Sequence, residues 1–83
     1  MSVEEMIQRA EELAVEIVRE HIEALKQVWA EQHAQRKENS VAAHQARHKR
    51  YDAENKIQKL EAELNSIYAD LALKFAEREE LTK

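Results

Sequence analysis

With 83 residues the chain has room for one domain, and two helices of that total length cannot enclose a core on all sides, so a partner surface is expected. Glycine, proline and cysteine are all absent, which removes the residues that tight turns, phosphate-cradling loops, disulfides and thiolate metal sites normally use, and leaves an all-helical reading. A net charge of -4 disfavours generic nucleic-acid binding and anionic membrane surfaces. No apolar stretch approaches the roughly 20 residues that cross a bilayer, and the start Met1-Ser2-Val3-Glu4-Glu5 lacks the basic and apolar regions of a secretory signal, so a cytoplasmic location is the expectation.

The first helix is expected over residues 3–36. Ser2 and Glu5 match a capping box, in which the Ser side chain accepts from a free backbone N–H and the Glu reaches back to the cap. From there Val3, Met6, Ile7, Ala10, Leu13, Ala14, Ile17, Val18, His21, Ala24, Leu25 and Val28 recur at steps of three and four, the spacing of a helical stripe. Ile22 and Trp29 widen it beyond the two positions per heptad that a two-stranded coiled coil needs, which points to contact with more than one neighbouring helix.

The stripe fades after Ala30 and Ala34, and Arg36-Lys37-Glu38-Asn39-Ser40 places two basic residues, suited to a helix C-terminus, just before two N-capping residues. The turn is therefore predicted over residues 37–40 and a second helix over 41–81. That helix carries Ala43, Ala46, Arg50, Ala53, Ile57, Leu60, Leu64, Ile67, Leu71, Lys74, Arg78 and Leu81 in unbroken phase, which argues against a further break at Tyr51-Asp52. With the turn at positions 38 and 39, residues whose numbers add to about 77 face each other: Ala34 meets Ala43, Ile17 meets Leu60, Leu13 meets Leu64 and Ala10 meets Ile67. Small side chains sit opposite small ones near the turn and large opposite large further down. The alternative is one uninterrupted helix of about 120 Å paired in parallel with a twin. It is disfavoured because its middle, between Ala30 and Ala53, holds mostly alanine and polar residues.

The fold expected is thus all-α: a long antiparallel two-helix hairpin, coiled-coil-like, over residues 1–83. Beyond its seam, Leu13, Val18, Ile22, Leu25 and Trp29 on the first helix and Tyr68, Ala72 and Phe75 on the second extend the apolar surface sideways. Covering each large side chain is favourable by roughly 1.5–3 kcal/mol, so pairing two hairpins about a two-fold axis into a four-helix bundle is the expected assembly. Trp29 is read as part of that core, beside Tyr51 or Ala53, in preference to an exposed anchor for a partner.

Chemistry-bearing patterns are sparse. His44 and His48 stand four residues apart on one helix face, and His33 lies across the turn, so a three-histidine metal site completed by Asp52 or Glu31 is conceivable. Solvated surface histidines are the preferred reading, and no cofactor is expected. A helical di-iron site needs Glu three residues before His, whereas Val18, Ala30, Val41 and Gln45 occupy those places. His21 is read as a seam imidazole beside a carboxylate such as Glu20 or Glu61, and no nucleophile has a matched base, so an enzyme is the least favoured class.

Charge is uneven along the chain. Residues 1–32 hold 3 basic and 8 acidic side chains, residues 33–51 hold 5 and 1, and residues 52–83 hold 5 and 8. Folding gathers Arg36, Lys37, Arg47, Lys49 and Arg50 at the tip, a surface suited to an acidic protein or to nucleic-acid phosphate, the latter not favoured because no reader motif accompanies it. The functional expectation is a non-enzymatic interaction module, an adaptor, inhibitor or assembly protein, that forms a homodimer and binds a protein partner.

Overall fold

The computed structural model describes the backbone of residues 1–82 and the side chains of residues 1–77. Two helices, α1 (Val3–Arg36) and α2 (Ser40–Thr82), fold back on each other as an all-helical antiparallel hairpin of 67 × 17 × 14 Å. The long dimension is that of α2 itself, since 43 residues at 1.5 Å each give about 64 Å. Because α1 has 34 residues and both helices start from the same turn, the end of α2 overhangs the start of α1. No helix among the described residues is long and apolar enough to cross a membrane.

Local chemistry sets both ends of α1. Ser2 Oγ accepts from the Glu5 N–H at 3.1 Å, forming one of the two reciprocal bonds of the capping box. At the other end Glu38 adopts a left-handed backbone, φ 56°, the conformation in which glycine ordinarily ends a helix. The Asn39 N–H donates to the Ala34 carbonyl at 2.9 Å and the Glu38 N–H to the Gln35 carbonyl at 3.0 Å. These are the two bonds of a Schellman turn, made here without glycine. Asn39 serves both helices, because its Oδ1 also accepts from the Ala42 N–H at 3.1 Å and caps α2. The reversal of direction therefore occupies three residues, 37–39, and α2 is continuous through Tyr51-Asp52.

Packing divides the hairpin lengthwise. Near the turn, Ala34, Ala43, Ala46 and Ala53 are buried, so the helices approach over small side chains. Towards the open end the core is Met6, Leu13 and Ile67, with Ala10, Leu60, Leu64 and Leu71 packed against it. Every α2 position from Ala43 to Lys74 that the sequence stripe assigns inward is buried or half-buried, whereas the side chains of Arg78 and Leu81 lie outside the described residues.

The inward edge of α1 is narrower than its hydrophobic stripe. Met6, Ala10, Leu13, Ile17, Glu20, Ala24, Gln27, Glu31 and Ala34, at alternating steps of four and three, are buried or half-buried. Ile7, Ala14, Val18 and Leu25, which share the sequence stripe, are exposed. Over residues 20–31 the seam thus takes Glu20, Ala24, Gln27 and Glu31, with Val28 half-buried at its margin, while Ile22 and Leu25 face outward. Leu13 is 0% exposed and belongs wholly to the intrachain core, so it cannot contribute to a sideways association surface. Within the single hairpin Trp29 is 66% exposed and stacks on His33, ring centroids 5.0 Å apart.

Candidate interaction surface

The surface that stands out is the outward side of α1. Val15, Val18, Ile22, Leu25 and Trp29 are all exposed and succeed one another at steps of three, four, three and four. At 100° per residue, the centre of this stripe lies about 150° around the helix from the inward seam. α1 therefore carries two seams of coiled-coil spacing on nearly opposite sides, an outward one that is apolar throughout and an inward one, covered by α2, that Glu20, Gln27 and Glu31 interrupt. Ala14, Val15, Val18 and Arg19 line a shallow, largely apolar depression on the uncovered side. On α2, Tyr68, Leu73 and Phe75 are exposed near the open end.

Of the expected association residues, Val18, Ile22, Leu25 and Trp29 share this one face of α1, while Tyr68 and Phe75 form a separate patch on the other helix. Sequence spacing did not separate the two seams of α1, because apolar residues on adjoining helix positions merge into one wide stripe. The signal that divides them is the polar intrusion at Glu20, Gln27 and Glu31, which marks the true inward edge.

The basic tip is partly consumed from within. Glu31, 7% exposed, accepts from Arg47 Nε at 2.8 Å and from Arg50 Nη1 at 3.2 Å, so one buried carboxylate holds two guanidinium groups of the opposite helix. Arg50 also lies 3.7 Å from Glu54 and 5.2 Å from the Tyr51 ring centroid. Arg36, Lys37 and Lys49 are the tip cations left exposed and outside the ion pairs among the described residues. Near the open end, Arg9 makes a two-pronged contact with Glu63, both bonds 3.1 Å. That contact holds the guanidinium pKa above its ordinary value.

The histidines do not converge. The Nε2 atoms of His44 and His48 are 3.0 Å apart, but His33 is stacked on Trp29 and Glu31 is committed to Arg47 and Arg50. Among the described residues no group of three or more metal-ligating side chains is assembled. His21 is exposed, its Nε2 3.9 Å from Glu61, a distance for loose attraction and too long for a hydrogen bond. The groove beside it, floored by Ala24, Val28 and Ile57, is an open channel between the helices.

The fold and surface define a class, the antiparallel helical hairpin with one surplus apolar face. No described protein family, curated protein or solved structure matches the chain.

Proposed function

We propose that this chain is a non-enzymatic interaction module that self-associates through the outward face of α1 and engages a second protein with what remains. The observation that carries the reading is the inversion in the middle of α1, where Glu20, Gln27 and Glu31 turn inward and Val18, Ile22, Leu25 and Trp29 turn to solvent. A helix stable as an outer layer has the opposite arrangement.

The chain exposes 6527 Å², against about 5,100 Å² for a compact monomer of its mass. That excess follows from the elongated shape, 67 × 17 × 14 Å, and a partner of ordinary interface size covers roughly 800 Å². Pairing two hairpins yields a four-helix homodimer and leaves Tyr68, Leu73 and Phe75 at the open end, with Arg36, Lys37 and Lys49 at the tip, for a further protein of acidic character.

Sedimentation equilibrium on the pure protein tests the first half: a dimer at micromolar concentration is expected, and a monomer at 100 μM removes the reading (about −5.5 kcal/mol is the weakest association still detected there). Trp29 supplies a second readout. Its emission is expected to shift to the blue as protein concentration rises through the dissociation constant, because association covers an indole that the single hairpin leaves in water.

A further inference from the structure

The outward stripe of α1 does not end at its apolar residues. Continued at the same spacing, it meets Glu11, Gln8 and Glu4 towards the N-terminus and Gln32 and Arg36 towards the turn, all exposed. One line along the helix therefore reads acidic, then apolar, then basic. Ile22 is the middle of the apolar run, with Val15 seven residues before it and Trp29 seven after. A surface with this order is complementary to itself when reversed.

We infer that the partner for this face is a second copy of the chain lying antiparallel to the first, with the two α1 helices in contact and a two-fold axis near Ile22. The inference rests on the self-association proposed above and adds its direction. With the axis there, Val15 faces Trp29 of the second copy, and Arg36 of the second copy lies over Gln8, within one helical turn of both Glu4 and Glu11. Two-fold symmetry repeats each contact at the other end. A parallel pairing buries the same apolar residues but sets Glu4 against Glu4, Glu11 against Glu11 and Arg36 against Arg36. Charge at the ends of the stripe thus selects direction, as flanking charges do in coiled coils, while the apolar middle supplies the affinity.

The same arrangement answers the larger charge pattern. Residues 33–51, with 5 basic and 1 acidic side chains, come beside the acidic open end of the second copy, and like-charged tips are kept far apart. The surplus apolar face then becomes the middle of the assembly, with each α2 on the outside.

Because the chain has no cysteine, single-cysteine variants give an unambiguous test on the full chain. Under mild oxidation Ile22→Cys is expected to form a covalent dimer by itself. Val15→Cys and Trp29→Cys are expected to remain unlinked alone and to link when mixed. Self-links at positions 15 and 29 show a parallel pair and overturn the inference while leaving self-association intact. A dimer in sedimentation with no link at any of the three positions also overturns it and moves the interface elsewhere, and a monomer removes the underlying reading as well.

Charge reversal gives a second measurement that leaves the apolar seam untouched. Glu4→Arg with Glu11→Arg is expected to raise the dimer dissociation constant by about tenfold, and adding Arg36→Glu to recover most of that loss. Helicity and unfolding midpoint, read beside it, report that each variant still forms the hairpin. A dissociation constant unmoved by the first pair of changes overturns the antiparallel assignment, since a parallel dimer exchanges one set of like charges for another.

Discussion

At the closed end of the hairpin, four buried alanines bring the helices together over little apolar area, and the contact is completed by Glu31 gripping Arg47 and Arg50. At the open end Met6, Leu13 and Ile67 supply a core of large side chains, and the ion pair of Arg9 with Glu63 is exposed at its margin. One pair of helices is thus held by two kinds of cohesion. Large side chains contribute free energy in proportion to area and tolerate some variation in shape. A seam of alanines contributes little by area and depends on close approach, and a buried carboxylate with two guanidinium partners fixes which residues meet.

Leu13→Ala removes the only large side chain that is fully buried among the described residues, and is expected to destabilise the hairpin by about 3–4 kcal/mol. Urea unfolding at a fixed protein concentration measures it. A loss below 1 kcal/mol is incompatible with Leu13 as the centre of that core.

At the closed end, Glu31→Ala strands two guanidinium groups, one of them only 24% exposed. The expected loss is about 2–3 kcal/mol, below the figure for a wholly buried pair because Arg47 retains much of its hydration. Glu31→Gln keeps the shape and removes the charge, so a loss close to that of the alanine variant assigns the effect to the ion pair, whereas a neutral result assigns it to packing.

Ala53→Leu sharpens the contrast by overfilling the alanine seam. A destabilisation of about 2 kcal/mol is expected in thermal melts, because a larger side chain there must push the helices apart. The same addition on the outward face, where Ala14 is exposed, leaves the hairpin's own stability within about 0.5 kcal/mol.

The smallest effect has the opposite sign. Glu38→Gly relieves a left-handed backbone on a residue with a Cβ, and is expected to stabilise the chain by about 0.5–1 kcal/mol, since the native strain exceeds the added freedom of the unfolded glycine. A destabilised glycine variant shows that the Glu38 side chain makes a contribution larger than the strain it imposes.

Several of these features were legible in the residues alone. From Ala43 to Leu64 only Tyr51 and Ala62 are apolar off the stripe, so period alone gives its inward edge there. Ser2 and Asn39 cap the helices because short polar side chains satisfy free N–H groups wherever a helix begins. The turn was legible from basic and capping residues despite the missing glycine, since Asn39 can end one helix and start the next.

Other features were decided by the second helix. Which of two apolar edges on α1 turns inward depends on what lies opposite, and at the closed end Glu31 meets Arg47 and Arg50 of α2 while Trp29 stays exposed against His33. That choice put Leu13 in the core and Val18, Ile22 and Leu25 in solvent, although all four have similar hydropathy. Periodicity determines that a residue lies on some apolar face because it depends only on 3.6 residues per turn. Only the tertiary structure decides which face is covered, because burial is a property of two surfaces and the shapes they bring together.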